Sequence, residues 1–348
     1  MDASTPLRVA LVGCGYQGGI FAQAIARMPA LRIVACADPN LEAAAQVAAQ
    51  AGAVPAFPSV EALLRAVDVD AVIVATAHGA LYECSLAAIQ AGKHVLAEKP
   101  IGMDETEAAQ LEEAVAGTGV CFMAGYSFRF FPALQAVHHL QQSGAVGEVH
   151  TVAGAIGIGP MSSGWRASPE TGGGPLLYVG SHLVDEILWL LDDEPAEVTA
   201  TARYRADTHA DETTTFQIQF AHGAVAQGVV TQAVDSFFNT LEVYGREGMI
   251  SLRGVEFTYT VEVTKRTLPA YAQPSLTRYL EREDLRIVMH RPQLVEFAAA
   301  IRERRQPSVT VSDGRRVLRV LDAIARSSRT GETVRIAATS PAGRSVRG

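Results

Sequence analysis

At 348 residues, with 48% hydrophobic and 19% charged side chains, the chain is long enough for two domains that each bury a core, and its composition is that of a globular protein with disorder expected only at its ends. A net charge of −8 without a Lys/Arg cluster argues against a nucleic-acid partner, because such binding draws on phosphate neutralisation by a basic face. No apolar run approaches the roughly 20 residues of a membrane span, and the opening Met1-Asp2-Ala3-Ser4-Thr5-Pro6 lacks the basic start of a signal peptide, so no membrane is expected and the cytoplasm is the expected compartment.

Over the first 125 residues short apolar runs alternate with amphipathic stretches, the βαβ rhythm of a parallel sheet covered on both faces. Strands are predicted at Arg8–Val12, Arg32–Ala37, Ala71–Ala75, His94–Ala97 and Val120–Ala124, and helices at Gly19–Met28, Leu41–Gln50, Ser59–Ala66, Leu81–Ala91 and Asp104–Ala116. The punctuation agrees: Gly52 and Gly92 follow helix ends, Ser59 can cap a start, and Asp104 with Glu107 pairs an N-cap with an acidic third position.

A further helix from Pro132 to about Ser143 leads into a different rhythm. Strands predicted at Glu148–Ile156, Glu197–Arg205, Thr213–Ala221, Val225–Val234, Thr240–Tyr244 and Met249–Leu252 follow one another with few helices between them, which implies a largely antiparallel sheet. One helix at about Pro175–Leu191 interrupts them, helices return at Arg291–Arg304 and Asp313–Ser328, and the Ser/Gly/Arg-rich end is expected to fray. The scattered Cys14, Cys36, Cys84 and Cys121 show no CxxC or Cys/His pairing, so buried free thiols are expected and neither a metal site nor a disulfide frame.

Directly after the first strand stands Gly13-Cys14-Gly15-Tyr16-Gln17-Gly18, the GxGxxG spacing that turns a strand tightly into a helix with its amides exposed to a pyrophosphate. A side chain at Gly13 or Gly15 is expected to obstruct that anion. Asp38, 20 residues after Gly18 and followed by Pro39, ends the second strand where an adenosine ribose would lie. Its carboxylate can accept hydrogen bonds from both ribose hydroxyls and would repel a phosphate, which favours NAD over NADP; a plain turn and helix cap at Asp38-Pro39-Asn40 is the competing reading.

The segment Ala91-Gly92-Lys93-His94-Val95-Leu96-Ala97-Glu98-Lys99-Pro100 resembles the AGKHVxxEKP signature of the Gfo/Idh/MocA oxidoreductases, the glucose-fructose oxidoreductase and inositol dehydrogenase family. Ala75-Thr76-Ala77-His78 stands where that family has A-T-P-N, without the proline and asparagine, and Leu81 replaces its usual histidine. Gly125-Tyr126-Ser127-Phe128-Arg129-Phe130-Phe131-Pro132 is similar to its connection between domains, with Ser127 for asparagine, and Trp165-Arg166 followed by Gly172-Gly173-Gly174-Pro175-Leu176-Leu177 is similar to the loop before its catalytic helix. Leu294-Val295-Glu296-Phe297 through Asp313-Gly314 resembles its returning C-terminal segment.

The resemblance implies an α/β N-terminal Rossmann domain, residues 1–125, and an α+β C-terminal domain, residues 126–340, with an open, mainly antiparallel sheet that serves a homodimer or homotetramer; residues 341–348 are read as a flexible tail. It also implies NAD-dependent hydride transfer on a sugar, inositol or related polyhydroxylated small molecule. In the family an Asp and a His four residues apart on one helix work with the EKP lysine; here His182 matches the histidine and Tyr178 takes the place of the aspartate. Tyr178 and His182, at i and i+4, are expected to share one helical face. His182 is read as the base for the substrate hydroxyl, Lys99 as the donor that stabilises the developing charge, and Tyr178 as a substrate contact. Asp185 is expected to hold the helix or orient His182. Trp165, Arg166 and His290 are candidate substrate contacts, and Thr76, Ala77, His78, Leu81, Glu98, Lys99, Ser127 and Arg166 candidate cofactor contacts. Two other activities remain open: an NAD-dependent glycoside hydrolase that oxidises its sugar transiently, and a catalytically silent regulator that senses NAD or sugar.

Overall fold

The computed structural model describes residues 5–161, 163–265, 275–277 and 282–337; the tail at 341–348 lies outside them. The first half runs β1 (Leu7–Val12), α1 (Tyr16–Ile25), β2 (Leu31–Ala37), α2 (Leu41–Gln50), β3 (Ala56–Phe57), α3 (Val60–Ala66), β4 (Ala71–Val74), α4 (His78–Gln90), β5 (His94–Glu98), α5 (Glu105–Val115) and β6 (Phe122–Gly125). Among the described residues these strands form a six-stranded parallel sheet in the order β3-β2-β1-β4-β5-β6. Val9, Ala10 and Leu11 of β1 and every residue of β4 are fully buried, because helices cover both faces, and that is why the sequence shows unbroken apolar runs here rather than alternation. The chain reverses direction across the sheet between β1 and β4, which opens a crevice at their carboxyl ends.

A 3-10 turn at Ser127–Phe130 leads to α6 (Pro132–Gln142), β7 (Val149–Gly157), α7 (Pro175–Tyr178), α8 (Gly180–Leu191), β8 (Pro195–Tyr204), β9 (Asp211–Phe220), β10 (Val225–Thr231), β11 (Phe238–Gly245), β12 (Gly248–Val255), β13 (Thr258–Lys265), β14 (Ser275–Thr277), α9 (Arg282–Glu303), α10 (Val311–Thr330) and β15 (Val334–Arg335). The second sheet, nine-stranded among the described residues, has the order β14-β13-β12-β11-β7-β10-β9-β8-β15 and is antiparallel apart from the β7/β10 pair. Ala200, Phe216, Leu241 and Leu252 turn one face of it inwards, where Leu183 and Ile187 of α8 are fully buried.

The returning helices tie the halves together. Arg315 of α10 bridges Glu105 and Glu112 of α5 at 2.7 and 2.8 Å, and His290 of α9 meets Gln17 of α1. Some elements depart from expectation. β3, β13, β14 and β15 were not anticipated, α9 starts earlier and runs through Pro292, and the helix expected at Pro175–Leu191 is two helices that break at Val179. All four cysteines are free, with Cys84 only half-buried. Among the described residues no helix is long and apolar enough to cross a membrane.

Candidate active site

A cleft of about 200 Å³ opens where the carboxyl ends of the parallel strands face the second sheet. Of the residues singled out from sequence, it brings together Tyr16, Gln17, Thr76, His78, Glu98, Lys99, Ser127, Trp165, Arg166, Tyr178, His182 and His290. Gly13, Cys14, Gly15, Gly18, Asp38, Pro39 and Ala77 lie outside its lining, along the turn from β1 into α1 and at the ends of β2 and β4. Leu81 is fully buried in the core side of α4 and does not reach the cleft, which removes the expected contact there.

The glycine turn is built as a strand-to-helix corner. Gly13 has φ +89°, and a Cβ on it would lie 2.5 Å from the backbone carbonyl of Ala75. Its lack of a side chain is therefore demanded by the end of β4 rather than by a ligand, a correction to the sequence reading. Gly15 is different: a Cβ there would meet open space, and as N-cap it supplies no side chain to the first amides of α1, which stay available to an anion. Asp38 Oδ2 accepts from the Cys14 amide and Oδ1 from the Asn40 amide, both at 2.8 Å. These features fit a dinucleotide: amides for its phosphates and a pinned carboxylate for its ribose.

Lys99 follows β5 through a cis peptide to Pro100. Its Nζ donates to the Tyr178 carbonyl at 2.6 Å and lies 4.6 Å from the Tyr178 ring centroid. No helix amide claims that carbonyl, because α7 stops at Tyr178 and the His182 amide donates to Val179 instead, and besides Lys99 it accepts from Ser181 Oγ at 3.3 Å. Tyr178 and His182 thus reach the same cleft, but from two helices and not from one shared face. Burial and the neighbouring Arg166 lower the Lys99 pKa to about 8, and burial raises that of Glu98 to about 7. Glu98 Oε1 accepts from Gln17 Nε2 at 3.0 Å and Oε2 from the Lys99 amide at 3.2 Å.

His182 is buried, its ring stacked on Phe128 with centroids 3.9 Å apart, and its Nδ1 has no hydrogen-bond partner. Burial, and then the nearby Lys99, hold its pKa well below the usual 6.5, so the ring is neutral around pH 7. Asp185 does not orient it. Arg129 grips Asp185 with both arms of its fork, at 2.9 and 2.6 Å, and reaches Asp313 at 3.3 Å, joining the 3-10 turn to α8 and α10. His290 is likewise spent within the protein: Gln17 Nε2 lies 3.0 Å from its Nε2, so Nε2 accepts and Nδ1 donates to Gln293 Oε1 at 3.2 Å. It lines the cleft with carbon edges, and a polar contact to substrate is not available to it.

His78 donates through Nδ1 to the Gly172 carbonyl at 2.8 Å. Trp165 packs on its ring at 4.5 Å, and the Arg166 guanidinium lies 4.8 Å from Trp165 and 5.2 Å from Tyr178. Phe128, Phe237 and Phe257 complete the apolar wall, with Phe237 and Phe257 stacked at 4.5 Å. Sequence reasoning missed the last two, since Phe257 sits on a turn that carries no glycine.

Residues 7–126 match the model of an oxidoreductase family with an NAD-binding Rossmann fold, and residues 134–251 match the GFO/IDH/MocA C-terminal domain. The chain is 30% identical over 313 residues to the 1,5-anhydro-D-fructose reductase of Ensifer adhaerens, covering 87% of this chain and 91% of that one. It is 27% identical over 339 residues to the inositol 2-dehydrogenase of Rhizobium meliloti, covering 92% and 96%. Among solved structures, GenD2 from gentamicin A biosynthesis, in complex with NAD, superposes with a TM-score of 0.84 at 26% identity, covering 97% and 98%.

Proposed function

The chain belongs to the GFO/IDH/MocA oxidoreductase family, and from that premise we propose that its cleft transfers hydride between NAD and a secondary alcohol or ketone of a sugar, inositol or related polyol. The observation that carries this reading is the convergence of Lys99 Nζ, the unpartnered His182 imidazole and Tyr178 on one cleft at the carboxyl end of the parallel sheet. The glycine turn opens beside it. NAD, when bound, supplies the hydride acceptor or donor.

Lys99 has three donor hydrogens and spends one on the Tyr178 carbonyl. The others hold the substrate oxygen and stabilise the negative charge that grows on it during oxidation. His182, neutral because it is buried and lies near Lys99, takes the hydroxyl proton. The Tyr178 hydroxyl anchors a second substrate hydroxyl, and Ser127, Phe128 and the Phe237/Phe257 pair close the wall against water. In the opposite direction the same groups return the proton to a ketone.

A screen of sugars, inositols, sugar acids and amino sugars with NAD, followed by NADH absorbance, finds the substrate class. On the best substrate Lys99→Ala and His182→Ala each lose about 100-fold or more in turnover and bind NAD nearly as wild type. Oxidation efficiency is expected to fall as pH rises through about 8, where Lys99 loses its proton, with no acid limb near 6.5 from His182. A rise through pH 8 would instead make Lys99 the base. Near wild-type turnover in His182→Ala would sink the mechanism.

A further inference from the structure

The four-residue helix α7 hands Lys99 its acceptor, yet a helix of one turn gains too little from its own bonds to fix its place. Two backbone bonds close it, from the Tyr178 amide to the Gly174 carbonyl at 3.1 Å and from the Val179 amide to that of Pro175 at 2.9 Å. At its start the N-cap is Gly174, which has no side chain to offer, and Pro175 has no N–H. The Leu176 amide donates instead to Asp211 Oδ2 at 2.9 Å, 35 positions away at the start of β9. Asp211 thus does from a strand what an N-cap side chain does within a helix. Gly174 makes room for it, since a Cβ there would fall on Asp211 Oδ1. Asp211 is itself held, by the Thr214 hydroxyl on Oδ2 at 3.3 Å and by Gln232 Nε2 on its carbonyl at 3.0 Å.

We infer that Asp211 is a positioning residue for Lys99: by holding the first amide of α7 it fixes where that helix ends, and so keeps the Tyr178 carbonyl at Lys99 Nζ. The inference rests on the oxidoreductase reading above, which gives Lys99 its work, and adds a remote residue to it. The route is short. Leu176 and Tyr178 belong to one helical turn, so a shift of the first is carried to the second. Tyr178 then touches Lys99 twice, through its carbonyl at 2.6 Å and its ring centroid at 4.6 Å, and both contacts move with α7. A donor displaced by about 1 Å from the reacting oxygen is enough to slow the chemistry. Stability alone gives no reason to keep a carboxylate here. Burial pushes Asp211 up to about 6, against the Leu176 and Thr214 bonds that pull it down. Because that value lies above that of a free carboxyl, ionisation as pH rises from about 4 to 6 subtracts from stability.

The test reads Lys99 directly. Lys93, Lys99 and Lys265 are the only lysines of the chain, so NMR of the full-length protein labelled with carbon-13 at the lysine ε-carbon follows each titration without NAD or substrate. Lys93 and Lys265, which pair with Asp68 and Glu247, serve as controls. In Asp211→Ala the Lys99 midpoint, about 8 in the wild type, is expected to move by about half a pH unit or more, down where the lost acceptor dominates and up where water enters beside it. Asp211→Asn, whose Oδ1 still accepts, keeps it. On the best substrate of the NADH screen Asp211→Ala loses about tenfold in kcat with KM and NAD affinity held, while Asp211→Asn stays within about twofold. An unmoved Lys99 midpoint or a wild-type kcat in Asp211→Ala overturns the inference. So does Asp211→Asn as damaged as Asp211→Ala, or a shift shared by all the lysines, which marks a general loosening. Should Asp211→Ala fail to fold, Asp211→Glu, with its carboxylate one methylene too far out, decides by the same readings. The titration stands even if no compound in the screen reduces NAD, the result that defeats the oxidoreductase reading itself.

Discussion

Asp38 carries two duties on one carboxylate. Its Oδ2 holds the Cys14 amide of the glycine turn and its Oδ1 holds the Asn40 amide, while Asn40 in turn caps α2 by accepting from Glu42 and Ala43. The group is thus oriented before any ligand arrives, with lone pairs left for ribose hydroxyls. A fixed negative charge there repels a 2′-phosphate, so NAD should bind at least about tenfold tighter than NADP, or roughly 1.4 kcal/mol. Titration with both cofactors measures it, and equal affinities would remove this role from Asp38. The spacing of Asp38 from the glycine turn made its place legible, because strand and helix lengths in a βαβ unit are narrow. The bond to Cys14 was not legible, since a contact across 24 positions leaves no local pattern. The same holds for Asp185: its place on a helix face was readable, but the partner that claims it, Arg129, sits 56 positions away.

At the scale of elements the parallel half was read almost whole, since buried strands are continuous apolar runs bounded by helix caps. The longest strand missed, β13, was hidden by a turn without its usual residues. β13 alternates cleanly, with Tyr259, Val261 and Val263 buried, yet it follows a two-residue turn, Glu256-Phe257, with φ of +46° and +62°. Such turns ordinarily use Asn-Gly. Two L side chains at positive φ cost about 1–3 kcal/mol each, and here other contacts offset that: Glu256 Oε1 accepts from Ser236 Oγ and the Phe237 amide at 3.2 and 3.0 Å, and Phe257 stacks on Phe237. Since Phe257 also lines the cleft, the strain is retained at the site. Glu256→Asn combined with Phe257→Gly is expected to relax the backbone, leaving thermal stability unchanged or higher, while KM for the substrate rises several-fold and NAD affinity stays put. A clear loss of melting temperature would mean that the side-chain contacts outweigh the strain, and an unchanged KM would remove Phe257 from the substrate wall.

On the scale of the whole molecule, the second sheet shows two unlike faces. One is covered by α6, α8 and α10. On the other, neighbouring strands bring Thr201, Thr215, Val229, Ala155 and Thr240 into a single row, with Thr201 and Thr215 hydroxyls 2.8 Å apart. The charged side chains on this face lie beside that row, among them Glu242 of β11, paired with Arg253 of β12 at 3.4 Å, and Glu197 and Arg203 of β8. In a chain of net charge −8 this row of uncharged side chains repels nothing, and Val229 stands exposed within it at 38%. Two copies packed face to face about a twofold axis would set each row against the other, since a twofold contact uses the same patch on both partners. We therefore expect a homodimer through this face, and sedimentation at micromolar concentration should report twice the chain mass of 37.0 kDa. Val229→Lys, which places like charges near the axis, should shift the protein towards the monomer. Because Val229 points away from the cleft, its NAD affinity should survive the change. A wild-type protein that sediments as a monomer would leave this face without a partner of its own kind. A tetramer that Val229→Lys leaves intact would place assembly on another surface.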